Sequence, residues 1–243
     1  MQTKKIIVLF PGAWGNATEV LVRWWFRHVI TFFKGYEVIV LTYPQGNHET
    51  ISSQVSDCLR QLRGVQDGVY AICYSKGAQI ARGVVHERPQ LFRKVGLISG
   101  LERFGVRFAV LLKAMRIAFW PVVRVLYGGR FELASVDQIK RVFMNASNGL
   151  PESMVSQIAG NSKSEPCYAT LLICMPLIRR HMPTFTCPVM AIVPDMDFFF
   201  PGVAIYPGER VELVHARGDH SLILHEDLLR SYIVRMQTWF QLP

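Results

Sequence analysis

The chain has 243 residues, half of them hydrophobic, which is enough for one α/β core and too apolar for a tail or a fibre. Lysine and arginine outnumber the acids by 27 to 18, so the net charge is +9. The five cysteines are irregularly spaced without a Cys-x-x-Cys pair, which predicts reduced thiols in a cytoplasmic protein. No run of about 18 uncharged apolar residues occurs, so we expect no membrane-spanning helix.

The first predicted strand runs from Lys5 to Phe10 and leads into a glycine-containing loop, Pro11-Gly12-Ala13-Trp14-Gly15-Asn16. Lysines before an apolar stretch are also typical of a signal peptide. The apolar run Ile6 to Phe10 is too short for that, and we expect it to be a buried strand. The loop after it can direct backbone N–H groups at a developing negative charge.

A serine stands at a predicted strand-to-helix turn. Ser75 follows the β-branched and apolar run Val69 to Tyr74 and precedes a segment with a helical pattern. The usual sequence at such a turn is Gly-x-Ser-x-Gly, because small residues let the backbone bend tightly without a Cβ clash. Here Cys73 replaces the first glycine. The pattern predicts that the Ser75 hydroxyl is held where it can attack a substrate.

Acidic residues follow two later predicted strands. Asp195 and Asp197 come after the strand Val189 to Val193, and Glu102 comes after the strand Val95 to Ile98. A carboxylate at a strand end can orient a histidine. We favour Asp197 for this role, with Asp195, Glu102 and Asp219, which lies beside His220, as alternatives.

A histidine follows the last predicted strand. The run Arg210 to Val214 alternates like a strand and leads to His220, which precedes a long amphipathic segment. The nearby His225 lies five residues further on, where capping or packing of the final helix explains it better. His220 is therefore the histidine that we expect beside the serine.

Helical periodicity separates these strands. One apolar stripe occupies positions 51, 55, 58, 59 and 62, and another occupies positions 228, 229, 232, 233, 236, 239 and 240. The alternation of strands and helices predicts an α/β fold, with a mostly parallel sheet covered on both faces.

The stretch 101–184 shows helical patterns and no convincing strand. It contains eleven basic and five acidic residues, which is +6 of the chain's +9. It also holds more apolar side chains than one helix stripe needs, so we expect most of them to pack and some to line an apolar cavity. These residues are Phe104, Phe108, Leu111, Leu112, Met115, Ile117, Phe119, Trp120, Val122, Val123, Leu126 and Tyr127.

The order of loop, serine, acid and histidine, each after a predicted strand, resembles the α/β-hydrolase superfamily over nearly the whole chain. Pro11-Gly12-Ala13 stands where many members have His-Gly-x, and Asp197 begins an Asp-x-x-x-Pro run that ends at Pro201. The resemblance implies an α/β-hydrolase core of residues 1–100 and 185–243. It also implies a helical cap, residues 101–184, inserted before the strand that bears the acid.

The resemblance assigns roles to five residues. Ser75 is implied as the nucleophile, His220 as the general base and Asp197 as the carboxylate that orients the imidazole. The backbone N–H groups of Ala13 and Lys76 are implied as the oxyanion hole. We expect no metal and no cofactor, because the sequence lacks a His-x-x-x-His pair, a cysteine cluster and a phosphate-binding glycine pattern.

These observations predict a serine hydrolase that cleaves a carboxylic ester with an apolar acyl group through an acyl-enzyme intermediate. One alternative is a thioesterase or methyl esterase for acyl groups linked to acyl carrier protein or coenzyme A. The other is a non-catalytic ligand-binding protein of the same fold. The basic stretch 101–184 fits an acidic carrier protein, an acyl-coenzyme A or an ester that bears a carboxylate. The basic stretch is also compatible with an anionic membrane surface, although we do not predict membrane contact. Nucleic acid is the partner that fits the stretch worst.

Overall fold

The computed structural model describes residues 5–13, 19–44, 49–103, 107–126, 136–144, 150–161, 182–199, 206 and 208–242. A six-stranded sheet in the order β2-β1-β3-β4-β5-β6 forms its centre. The strands are β1 (Ile6–Phe10), β2 (Glu37–Val40), β3 (Val69–Tyr74), β4 (Phe92–Ile98), β5 (Val189–Pro194) and β6 (Val211–Ala216). All neighbouring strands pair in parallel, which confirms the predicted parallel sheet.

The helices of the described residues surround this sheet. They are α1 (Glu19–Trp25), α2 (Arg27–Phe32), α3 (Ile51–Gln61), α4 (Gly77–Glu87), α5 (Phe108–Ile117), α6 (Phe119–Leu126), α7 (Val136–Phe143), α8 (Glu152–Asn161) and α9 (Glu226–Gln241). A short 3-10 helix, His220–Leu224, precedes α9. Within the described part of the chain, no helix is both long enough and apolar enough to cross a bilayer.

Alternating side chains of the strands form two cores, one on each face of the sheet. On β3, Ala71 and Cys73 pack in the core that contains the buried residues of α3 and α4. Tyr70 and Ile72 point to the other face and pack with α1, α2 and α9. Both faces are therefore buried, as expected for parallel strands with continuous apolar sequences.

Strand β2 was not predicted from the sequence. It has only four residues, Glu37–Val40, and lies at the edge of the sheet with its side chains half-buried or exposed. A run this short gives little alternation to recognise. Leu228 also differs from the predicted stripe of α9, because it is exposed while Leu229, Ile233, Met236 and Phe240 are buried.

Parallel pairing brings several loops to one edge of the sheet. The register pairs Phe10 with Cys73 and Tyr74 with Ile98, so the residues after β1, β3 and β4 leave the sheet side by side. Ile98 in turn pairs with Ile192. In open α/β sheets, sites form at these carboxyl ends of the strands.

The described parts of 101–184 contain α5 to α8 and no strand. The boundaries predicted for the cap, 101–184, and for the core, 1–100 and 185–243, remain a prediction. Residues 104–106, 127–135, 145–149 and 162–181 of this stretch lie outside the described residues.

Candidate active site

Ser75 occupies the sharp turn between β3 and α4. Its φ is +50°, in the left-handed region that non-glycine residues rarely adopt. The turn is held by backbone hydrogen bonds: the Ser75 N–H donates to the Ile98 carbonyl at 3.3 Å, and the Ser75 carbonyl accepts from Ala78 and Leu101, both at 3.1 Å. A strained backbone that its neighbours fix in this way is typical of functional sites.

Gly77 allows helix α4 to lie close to strand β1. A Cβ atom at this position would be 2.4 Å from the Phe10 carbonyl oxygen and 2.7 Å from that of Pro11. Cys73, which replaces the first glycine of the usual pattern, is fully buried between the sheet and α4. The close approach of the backbones therefore requires a glycine at position 77, whereas the core has room for the side chain of Cys73.

The loop after β1 packs directly against the serine turn. A Cβ at Gly12 would be 2.8 Å from the Tyr74 ring and 3.0 Å from the Cβ of Ser75. Ala13 follows Gly12 in this loop, and Lys76 follows Ser75 as the residue that caps α4. The two residues predicted as oxyanion-hole donors thus lie in the two segments that meet at Ser75.

A chain of hydrogen bonds joins the three predicted catalytic residues. The Oγ of Ser75 is 2.9 Å from Nε2 of His220, and Nδ1 of His220 is 2.8 Å from Oδ2 of Asp197. All three side chains are buried. An ionised carboxylate only accepts, so Nδ1–H donates to Asp197 and Nε2 is left to accept the Ser75 hydroxyl proton.

Neighbouring groups hold His220 and Asp197 in place. The second oxygen of Asp197, Oδ1, accepts the backbone N–H of Phe199 at 2.9 Å. The hydroxyl of Tyr74 donates to the backbone carbonyl of His220 at 2.9 Å. The rings of Phe199 and Tyr74 lie 4.7 Å and 5.3 Å from the imidazole. The orientation of the histidine therefore depends on contacts from two strand ends.

Tyr74 and Phe199 were not singled out from the sequence. Burial raises the pKa of the Tyr74 phenol well above its ordinary value, and nearby Asp197 and Asp219 raise it further. The phenol thus stays protonated, and able to donate a hydrogen bond, at neutral pH. The available signal was its position: an amphipathic residue next to the serine, at the end of an otherwise apolar strand.

The alternative acids have other partners. Oδ1 of Asp195 accepts the backbone N–H of Gly218 at 2.9 Å. The Glu102 carboxylate forms an ion pair with Arg107 at 2.6 Å. Of the candidate acids, Asp197 is the one whose carboxylate lies within hydrogen-bond distance of the His220 imidazole in the described residues. Pro201, the end of the Asp-x-x-x-Pro run, lies outside the described residues.

The loop before the histidine has its own hydrogen bonds. Asp219 caps the 3-10 helix by accepting the backbone N–H of Ser221 at 2.9 Å and its hydroxyl at 2.6 Å. His225 precedes α9 as its N-cap residue, and its Nε2 lies 3.2 Å from Oγ of Ser221. Burial lowers the pKa of His225, an effect that Asp219 partly offsets.

Three of the apolar residues expected to pack or to line a cavity are instead exposed. The exposed fractions are 46% for Leu112, 51% for Phe119 and 71% for Trp120. Phe104 and the side chains of Phe108, Leu111, Val122, Leu126 and Tyr127 lie outside the described residues. An apolar cavity for an acyl chain remains a prediction.

A pocket of about 610 Å³ lies beside the loops that carry the acid and the histidine. Met196 and Gly218 line it, together with the charged residues Arg27, Arg217 and Glu226. This mixed lining differs from the predicted apolar cavity. Among the described residues, no group of three or more His, Cys, Asp or Glu side chains is placed to hold a metal ion.

The chain has the α/β-hydrolase fold, as solved structures show. An extracellular α/β-hydrolase from a Paenibacillus species matches over 96% of this chain and 98% of its own, with 13% identity and a TM-score of 0.68. Carboxylesterase CesB from Bacillus subtilis matches over 99% and 85%, with 14% identity and a TM-score of 0.63.

A third structure comes from work on carboxylesterases of the thaumarchaeon Nitrososphaera gargenis. It matches over 97% of this chain and 90% of its own, with 16% identity and a TM-score of 0.64. The sequence matches no protein-family model and no curated protein. The structural neighbours therefore establish the fold, while the chemistry has to be argued from the residues of this chain.

Proposed function

We propose that this protein is a serine hydrolase that cleaves a carboxylic ester with an apolar acyl group. One observation carries the proposal: the hydrogen-bond chain from Ser75 through His220 to Asp197, with distances of 2.9 Å and 2.8 Å. A serine hydroxyl is a poor nucleophile at neutral pH, and this arrangement supplies both a base and a carboxylate that stabilises the base once it is protonated.

In the first half of the reaction, Oγ of Ser75 forms a bond to the carbonyl carbon of the ester and His220 takes the hydroxyl proton. The bond to the leaving alcohol then breaks, and the alcohol departs with the proton from His220. The acyl group remains on Ser75. Asp197 keeps the imidazole in the required tautomer and stabilises its transient positive charge.

In the second half, His220 takes a proton from water as the water oxygen attacks the acyl carbon. The bond to Ser75 breaks, the proton returns to Oγ and the carboxylic acid leaves. The N–H groups of Ala13 and Lys76 are the donors that we propose for the negative oxygen in both halves. Each such donor contributes about 3 kcal/mol to lowering the barrier.

The surroundings of the reacting groups support an apolar acyl group. Phe198 and Phe199 follow the proposed acid, and their rings pack edge to face at 5.4 Å. The ring of Phe199 also contacts the imidazole. An aromatic neighbour of the histidine favours an apolar substituent on the substrate.

The decisive experiment measures hydrolysis of p-nitrophenyl esters of increasing acyl length, together with intact-mass detection of a fluorophosphonate adduct. We expect the wild type to hydrolyse the esters and to gain one adduct at Ser75, and Ser75→Ala to do neither. Ser99→Ala is a matched control, because Ser99 is also buried and also has a left-handed backbone, with φ of +47°. It should retain the adduct.

If the folded wild type neither hydrolyses any ester nor forms an adduct, the proposal fails and the non-catalytic binding protein becomes the better interpretation. A second comparison, between an oxygen ester and the thioester with the same acyl group, addresses the thioesterase alternative. We expect faster turnover of the oxygen ester. Selective turnover of acyl-coenzyme A or an acyl carrier protein would favour the alternative.

A further inference from the structure

We propose that helices α5 and α6 carry a face that binds the surface of an anionic lipid membrane. This basic–aromatic face consists of the exposed residues Leu112, Arg116, Phe119, Trp120 and Arg124. It is separate from the proposed hydrolytic chemistry, and its test does not depend on turnover.

The face is the outer side of two helices whose inner side is fixed to the core. Val110, Ala118 and Pro121 are buried, and Ala114 and Ile117 pack against the core cluster next to α3 and α4. These positions recur at helical spacing, so one side of α5 and α6 packs against the core. Among the described side chains of these helices, Leu112, Phe119 and Trp120 are large, apolar and exposed.

The apolar members of the face are unusually exposed for their size. Phe119 and Trp120 are adjacent, with their rings 5.4 Å apart, and each exposes more than half of its surface. Leu112 adds a third large apolar group. Single exposed apolar residues need no explanation, but an exposed group with basic neighbours marks an interaction surface.

Charge gives the chemistry of the occupant. The sequence from Arg103 to Phe131 contains six basic residues and no aspartate or glutamate. Arg107 pairs with Glu102 at 2.6 Å, and the ammonium of Lys113 lies 4.7 Å from the ring centre of Phe198, so Arg116 and Arg124 are the basic members of the face. The segment that carries the basic–aromatic face therefore has an excess of positive charge, which attracts an anionic surface.

A lipid surface accounts for both properties of the face. Anionic headgroups attract Arg116 and Arg124, while tryptophan and phenylalanine partition into the interface between headgroups and acyl chains. A coenzyme or an acidic carrier protein would explain the basic residues but leave Phe119 and Trp120 in water. A fluid bilayer also requires no groove, and this face is the outer side of two helices.

The test is co-flotation of the protein with phosphatidylcholine vesicles that contain either no phosphatidylglycerol or about one-third of it. The Ser75→Ala variant is used throughout, so that the lipid is not consumed if the chain hydrolyses it. We expect binding to the anionic vesicles at low ionic strength, weak binding to the neutral vesicles, and release by added salt. Binding of this variant is independent of whether the proposed hydrolysis exists.

Two pairs of variants isolate the face. Arg116→Glu/Arg124→Glu should weaken binding by about tenfold or more, whereas Arg63→Glu/Arg93→Glu changes two exposed residues elsewhere by the same charge and should not. Phe119→Ser/Trp120→Ser should also weaken binding. Its control is Val234→Ser/Leu242→Ser, which alters side chains that are 47% and 53% exposed.

Thermal unfolding of each variant confirms that it is folded before its binding is interpreted. No flotation with anionic vesicles at low ionic strength would overturn the proposal, in favour of a different acidic partner. Equal binding to neutral and anionic vesicles would overturn it as well, and so would equal losses in the control pairs.

Discussion

The strand ends that carry Ser75 and the helices α5 and α6 use polar and apolar residues in opposite ways. At the strand ends the polar groups are buried, and hydrogen bonds of 2.8–2.9 Å fix their positions. On α5 and α6, Arg116, Arg124 and two aromatic side chains are exposed to water. Function at the buried site depends on the position of each atom. Function of the exposed face depends on its total charge and apolar surface area. Substitutions should therefore have large and specific effects in the first region and additive effects in the second.

Apart from the loss of Ser75 itself, the largest expected effect comes from the proposed acid of the site. Asp197→Asn keeps the size of the side chain but removes the charge that holds the His220 tautomer, and we expect kcat for a p-nitrophenyl ester to fall by about 10⁴. Asp195→Asn is the control, since Asp195 bonds to the backbone of Gly218 and should retain most activity. If the two variants lose activity equally, the assignment of Asp197 is wrong.

The next effect tests the close packing under the serine turn. Gly77→Ala places a Cβ atom 2.4 Å from the Phe10 carbonyl, so the backbone has to move. We expect a loss of about 1–3 kcal/mol in the free energy of unfolding and about a hundredfold in kcat, because Ser75 shifts with the turn. Differential scanning calorimetry and ester kinetics measure the two losses.

Gly35→Ala is the control for this change, because an added Cβ at Gly35 has no atom within 4 Å. Its effect on the melting temperature should be small. A fully active Gly77→Ala protein with an unchanged melting temperature would show that the turn tolerates the extra atom.

A smaller effect is expected from removing one hydroxyl. Tyr74→Phe deletes the donor to the His220 carbonyl, which should cost about 1–3 kcal/mol of stability and lower kcat about tenfold with KM unchanged. Tyr206→Phe removes a comparable buried bond, from the Tyr206 hydroxyl to the Gly100 carbonyl at 2.9 Å. It should lower stability without the same loss of kcat. If Tyr74→Phe and Tyr206→Phe lowered kcat equally, Tyr74 would have no specific role in positioning His220.

The smallest effect is on acid stability. Burial lowers the pKa of His225 in the folded protein, while the unfolded chain titrates at about 6.5. Below that pH the unfolded state binds more protons than the folded state, so stability falls as the pH falls. In His225→Gln the melting temperature should fall less steeply between pH 7 and pH 5 than in the wild type. If the melting temperatures of both proteins fell equally steeply with pH, the contribution of His225 to acid stability would be contradicted.

The residues of the site were predictable because each follows a strand with a clear pattern. Ser75 and His220 stand after apolar or alternating runs, and parallel strands necessarily bring their carboxyl ends together. The choice of Asp197 over Asp195 was harder to predict. The two aspartates lie on one short loop and differ in the direction of their side chains, which the backbone conformation after β5 determines.

Other features depend on contacts between distant parts of the chain. The role of Tyr74 arises because the 3-10 helix at His220 packs over its hydroxyl, and the distance along the sequence hides this contact. The exposure of Trp120 depends on which side of α6 the core occupies, and apolar composition alone suggested packing. Strand β2 was too short to produce a pattern.

The long sequence separation within the site has a consequence for folding kinetics. The hydrogen bond between Ser75 and His220 joins residues 145 positions apart, and every strand pair in the described sheet is parallel. Parallel strands cannot form through local hairpins, so a long loop has to close for each pairing and the order of closure governs the rate. During refolding, the helical circular-dichroism signal should therefore recover before the serine becomes reactive towards a fluorophosphonate. The reactive serine would then report completion of the whole topology.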